Sequence, residues 1–217
     1  LITSLGTVML PHISNMHARG KKDEIKQSLL MSFRLVFMFA APMVLGLCAI
    51  AKDLMPMFLG DGYENTITII CVISPIILMI GLSNVVGIQY LLPTKRQIAF
   101  TSSVATGAVM NLILNFVLIP NFMSVGSAIS TVIAETSVLA VQLWFVRKEF
   151  DFKKILLSST KYLFSAAVMF AAIMWLNRYP FYSIARSVRM LSDVVIGMLV
   201  YLIILVVSKD KLIFFAL

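Results

Sequence analysis

The chain has 217 residues, of which 60% are hydrophobic and 13% charged, against about 45–50% and about 25% in ordinary soluble domains. One soluble core of this size cannot absorb so much apolar surface, and the excess must face lipid. The net charge of +8 does not mark a nucleic-acid binder, because the basic residues sit in short clusters between apolar runs, as the positive-inside rule describes.

In chain order, Leu1 to Leu10 reads as the end of a truncated helix, closed by Pro11-His-Ile-Ser14, so the sequence is expected to be a fragment entered partway through a helix. Asn15 to Gln27 is a polar connector carrying Arg19, Lys21, Lys22 and Lys26. Span A covers Leu30 to Ala51, with Pro42 inside it, and Lys52 to Asn65 is a loop broken by Pro56 and Gly60-Asp-Gly62. Span B covers Thr66 to Leu91, where Ser74-Pro75, Gly81 and Gly87 favour a kink or tilt. After the short turn Pro93-Thr-Lys-Arg96, span C runs Ile98 to Ile119, Pro120-Asn-Phe-Met123 turns the chain, and span D runs Ser124 to Val146. Arg147 to Lys161 is a second basic connector, span E is Tyr162 to Leu176, and span F is Met190 to Val207. Tyr179-Pro-Phe-Tyr182 between them suits an interfacial aromatic belt. The expected fold class is all-α: a polytopic membrane helix bundle with one truncated helix plus six spans.

The basic clusters alternate with the spans. Residues 12–28, 92–97, 147–161 and the tail after Val207 hold most of the Lys and Arg, whereas the opposite connectors hold only Lys52, Arg178, Arg186 and Arg189. The richer side is expected to be cytoplasmic, and with it the C-terminus.

Polar residues inside the spans are the candidates for function. Ser103, Gly107, Asn111 and Asn115 recur every four residues on one face of span C. Ser124, Ala128, Thr131, Glu135, Val138 and Gln142 follow helical spacing in span D; span B adds Asn84 and Gln89, and span A adds Arg34. Two readings fit these stripes: hydrogen bonds across packed helices, or the wall of a wet cavity. For Glu135 the structural alternative is a hydrogen bond or an ion pair with Arg34. Arg34 in turn either snorkels to the membrane surface or faces inward, where its guanidinium suits a phosphate. Asp193, one turn from Arg189, reads as a surface ion pair.

Several chemistries find no support. Cys48 and Cys71 spell neither a metal spacing nor a disulfide framework, His12 and His17 have no ligand partners at useful spacing, and the 14 methionines read as apolar filler. No phosphate loop, nucleophile elbow or metal-binding helix is present, so the chain is read as a non-enzyme without cofactor or metal.

The stretch Asn115-Phe-Val-Leu-Ile-Pro120, then Val125-Gly-Ser-Ala128, Ser130-Thr131 and Glu135, resembles a pattern of bacterial polysaccharide flippases, members of the multidrug/oligosaccharidyl-lipid/polysaccharide exporter superfamily. Pro11-His-Ile-Ser14, Phe58-Leu-Gly60 before Tyr63, and Gln89-Tyr-Leu-Leu-Pro93 extend the resemblance over roughly residues 1–146. It departs at Met123, where a turn glycine is common, and at Ser127, which replaces an alanine. The resemblance implies two six-helix lobes around a central cavity. Residues 1–146 would then be part of the C-terminal lobe, and residues 147–217 a connector and two additional spans. It further implies movement of undecaprenyl-pyrophosphate-linked oligosaccharide across the bacterial plasma membrane by alternating access. The implied partners are that substrate, membrane lipid, the N-terminal lobe and the polymerase machinery that consumes the exported units. A cation-coupled drug exporter of the same superfamily and a non-transporting membrane scaffold are the competing functions.

Overall fold

The computed structural model describes residues 2–60, 62–178 and 186–208. Helices run in the order α1 (Ile2–Ala18), α2 (Lys22–Leu59), α3 (Glu64–Ile73), α4 (Ile76–Val86), a π-helical turn (Gly87–Leu91), α5 (Gln97–Val146), α6 (Phe152–Leu176) and α7 (Arg186–Val207). No strand occurs among the described residues. This is the all-α, multi-pass membrane bundle expected: α2, the segment Glu64–Leu91, α5, α6 and α7 are each long and apolar enough to span a bilayer.

One of these, α5, counts twice. It is two antiparallel limbs joined at Met123, whose φ of 48° and ψ of −127° leave the helical region. The limbs, 97–122 and 124–146, reach about 39 and 34 Å at 1.5 Å per residue, so each crosses a hydrocarbon core of about 30 Å. They are spans C and D. The break falls within the expected turn Pro120-Asn-Phe-Met123, at its last residue: the helix accommodates Pro120 and leaves helical geometry only at Met123. Small residues set how closely the limbs approach. A Cβ on Gly126 would overlap the Leu118 carbonyl, and one on Gly107 would overlap Val138. Gln142 Nε2 donates to Ser103 Oγ at 3.2 Å across the same seam.

Other boundaries also move outward from the expected ones. α1 continues through Pro11 to Ala18 instead of closing at Pro11-His-Ile-Ser14, and the chain turns at Gly20 (φ 71°). α2 extends back through the expected connector to Lys22, where Asp23 and Glu24 suit the positive end of the helix dipole, and forward through Pro56 to Leu59. α6 begins inside the expected basic connector, capped by Asp151, whose side chain accepts from the Lys154 amide at 3.1 Å. In each case the polar segment adds one to about three helical turns outside the apolar run, which a hydropathy boundary cuts off. The expected kink in span B is present: the helix is interrupted at Ser74-Pro75 and again loosens into the π turn. The aromatic stretch 179–182 and the charged tail 209–211 lie outside the described residues.

α2 is the spine. It packs against α1, α3, α4, α6 and α7, while α5 packs on α3 and α4. Two apolar clusters result. One joins Ile13, Leu29, Val36, Val86 and Leu139; the other joins Phe37, Tyr162, Met169, Ile173 and Leu205. Tyr201 of α7 donates to the Met38 carbonyl of α2 at 2.7 Å, tying the second cluster together. Outside these clusters large apolar side chains stand open, with Phe116 75%, Leu157 72% and Val207 75% exposed. Such a surface is stable only against lipid or further protein.

Charge separates along the bundle. At one end Lys26, Lys148 and Lys154 surround a cleft between the starts of α2 and α6, and Arg96 pairs with Glu149 across the base of the hairpin. Tyr90 also donates to Glu149, and its ring meets Phe150 edge-on at 4.9 Å. At the other end lie the close of α2 and α6 and the start of α7, with Asp53, Asn177 and Arg189.

Candidate functional site

The polar face of the hairpin is built by its register. Gly107 meets Val138 and Leu118 meets Gly126, which sets residues 111–115 level with 130–134. Within the first limb Asn115 Nδ2 donates to Asn111 Oδ1 at 2.7 Å, as their four-residue spacing allows. Within the second, Thr131 Oγ1 donates to the Ser127 carbonyl at 2.8 Å and Ser130 Oγ to that of Gly126 at 2.8 Å. Ser130 and Ala134 are buried in the seam. Asn111, Asn115, Thr131 and Glu135 are half-buried beside it.

Glu135 has no hydrogen-bond or ion-pair partner among the described residues. The ion pair with Arg34 considered from the sequence does not form. Arg34 stands on α2, half-buried, with a buried Nε lacking a partner. Asn84 on α4 is half-buried, and its Nδ2 is unpartnered as well. Gln89 and Gln142 are completely buried. Gln142 fills the space beside Gly87, bonded to Ser103. Both amide ends of Gln89 lack partners. The eight sequence candidates therefore divide: Asn111, Asn115, Thr131 and Glu135 share one level of the hairpin, Arg34, Asn84 and Gln89 belong to the α2/α4 layer, and Gln142 bridges hairpin and π turn.

Five of the eight — Arg34, Asn84, Gln89, Asn115 and Gln142 — carry a buried polar atom with no partner among the described residues. Native interiors leave few such atoms, since each costs the full desolvation of the group. Their concentration at the residues that interrupt the apolar runs is what a polar passage or a second polar surface would relieve.

A further polar group escaped the sequence reading. Arg189 and Asp193 do not form a surface pair. Arg189 pairs instead with Asp53 of α2, while Asp193 is fully buried and accepts from Asn177 Nδ2 at 3.0 Å. The sequence shows three charges near span ends, and nothing in spacing tells which helices meet. The two cysteines lie where α2 faces α3 and are free thiols; Cys48 Sγ stands 3.3 Å from Ser74 Oγ.

Against known proteins, residues 1–190 match the model of the family described as lipid II flippase MurJ. Over 97 residues the chain is 34% identical to the "Putative O-antigen transporter" of Escherichia coli (strain K12), a match covering 45% of this chain and 23% of that protein. A solved structure of the lipid II flippase MurJ in its inward closed conformation superposes with a TM-score of 0.79 at 20% identity, over 96% of this chain and 43% of that one. The chain thus spans less than half of either relative, and the structural likeness speaks for the fold alone. With its helical order, its hairpin and the family match over residues 1–190, this chain belongs to the MurJ lipid II flippase family, whose members are transporters and not enzymes.

Proposed function

We propose that the chain is the C-terminal part of a flippase that carries an undecaprenyl-pyrophosphate-linked oligosaccharide repeat unit across the bacterial plasma membrane by alternating access. The observation that carries this reading is Glu135, a half-buried carboxylate without a counter-charge among the described residues, level with Asn111 and Asn115 on a hairpin of two membrane-spanning limbs. A sugar head cannot cross hydrocarbon without replacing its water partners. Asn, Thr and Glu side chains on a face shared with an N-terminal lobe supply such partners, and Arg34 suits the pyrophosphate. Residues 147–217 then form the two helices added to the lobe. They wall an apolar groove of about 480 Å³ between α2, α6 and α7, which suits a polyprenyl chain left in the bilayer. The end holding Lys26, Lys148 and Lys154 is assigned to the cytoplasm, and the C-terminus with it.

The name of the Escherichia coli relative favours a surface-polysaccharide unit as cargo. The family match over residues 1–190 favours lipid II as the second reading. Deletion in the host separates them. Loss of surface polysaccharide with lipid-linked units retained at the inner leaflet supports the first. Lysis with lipid II retained supports the second. Normal export of both would overturn flipping.

A further inference from the structure

The end of the bundle where α2 and α6 finish holds polar side chains that the hairpin does not use. Arg189 Nε donates to Asp53 Oδ2 at 2.9 Å, and Nη2 donates to Asp53 Oδ1, so one guanidinium clamps α7 to α2. One turn along α7, Asp193 is 0% exposed. Its Oδ2 accepts from Asn177 Nδ2 at 3.0 Å. Asp193 Oδ1 and Asn177 Oδ1 remain buried, each without a hydrogen-bond partner. Both atoms are acceptors and cannot satisfy one another. Turning the amide over would set its oxygen against the carboxylate and gain nothing.

The charge is also unbalanced. Asp53 and Arg189 are the charged groups that act on Asp193, and the fork of Arg189 is engaged by Asp53. Lys52 and Arg178 flank the cluster on α2 and beyond α6, and Arg186 lies a turn before Arg189; all three are exposed. Asn177 caps the C-terminus of α6, so the negative end of that helix dipole adds to the two carboxylates. A buried carboxylate in this company calls for a positive charge at Oδ1. Asp193 is sealed from solvent, which favours a small occupant over a bulky ammonium.

We propose that Asp193 Oδ1, assisted by Asn177 Oδ1, is a site for one small monovalent cation, separate from the polar face of the hairpin. The shared chemistry is a single positive charge on oxygen, supplied by an alkali ion or by a proton. With the site filled, Arg189 stays on Asp53 and α7 is held to α2. With it empty, the bare Asp193 carboxylate competes for Arg189 from one turn away on the same face, and the clamp relaxes. Asp193 also borders the groove walled by α2, α6 and α7, so occupancy sets how firmly that groove is closed. The cation site stands whether or not the groove carries a lipid chain.

Thermal unfolding of the full-length protein in nanodiscs tests this. Na⁺, Li⁺ and K⁺ are each compared with choline at constant ionic strength and pH, followed by a pH series in choline. An alkali-ion occupant raises Tm by about 2–4 °C at saturation. A proton occupant gives no alkali-ion response and a Tm that climbs as the pH falls in choline. Either response must vanish in Asp193→Asn. Should that variant fail to fold, Asp193→Glu must shift the midpoint of the response. No response in the unaltered protein, a response that survives in folded Asp193→Asn, or an unmoved midpoint in Asp193→Glu overturns the site.

Discussion

The hairpin and the α2/α6/α7 end each set a carboxylate within apolar helices, and they treat it in opposite ways. Glu135 is half-buried, reaches the open face of the hairpin and has no partner among the described residues. Asp193 is sealed between helices, with Asn177 on one oxygen and the Arg189–Asp53 pair alongside. A carboxylate inside a membrane protein is costly in both places. In the hairpin the cost is met only if something outside the chain's described residues meets the side chain, as a transported head group or a wet passage does. At the other end the bundle itself meets one carboxylate oxygen through Asn177 and leaves the second to the proposed cation. Under the proposed function, the contrast separates a surface that meets cargo from a joint that holds helices together.

The largest effect is expected at the hairpin seam. Gly126→Val drives a side chain into the Leu118 carbonyl. It should destabilise by about 3 kcal/mol or more, the upper range for overpacking, seen as loss of folded full-length protein by size exclusion and thermal unfolding. A wild-type Tm would show that the limbs separate freely and that Leu118 does not sit against Gly126.

Next in size is the joint. Arg189→Ala strands Asp53, which is buried to 8% side-chain exposure. Breaking a buried pair in this way costs about 3 kcal/mol, the lower part of the usual range because Arg189 itself is a third exposed. Adding Asp53→Asn should recover part of that loss, and a double-mutant cycle with no coupling would reduce the pair to a surface contact.

At the open carboxylate the expectation reverses: function falls and stability holds. Glu135→Gln removes a charged hydrogen-bonding group worth about 1.5–3 kcal/mol to whatever it meets, so export should slow about ten- to a hundredfold. Protein abundance and Tm should stay near wild type, within about 0.5 kcal/mol. Asn115→Ala should follow the same pattern more weakly. If either variant lowers abundance in step with export, the hairpin face is structural and resembles the joint after all.

The smallest effect has the opposite sign. Met123 holds φ at 48°, in the half of the map where glycine is at ease, and its side chain is 77% exposed. Met123→Gly should therefore stabilise by about 1 kcal/mol, as a higher Tm with export unchanged. A lower Tm would mean that the methionine anchors the tip at the membrane surface.

Much of the architecture is legible in the order of residues. Spans C and D follow from hydropathy and emerge as the limbs of α5, and the four-residue row Ser103, Gly107, Asn111 and Asn115 starts in the seam and winds out of it, as successive 40° rotations require. The missing turn glycine in the flippase-like pattern falls at Met123, the residue whose backbone leaves the helix. Helix ends are less legible. Lys22, Leu59 and Phe152 lie beyond the apolar runs, where caps, charges and backbone hydrogen bonds decide the boundary.

The sequence alone determined that this protein is a multi-pass helical membrane bundle, because the apolar excess and the period of its polar interruptions leave no soluble alternative. It also determined which side chains are out of place in hydrocarbon. The company each one keeps comes from helix packing: Arg189 with Asp53 across 136 residues of chain, Gln142 against Gly87, and Glu135 with no partner among the described residues. The reason is physical. Hydrophobicity and helix period are local sums that can be read along the chain. Pairing depends on which helix faces meet, and in this bundle that is set by α2 serving two clusters at once and by glycines that let two limbs touch.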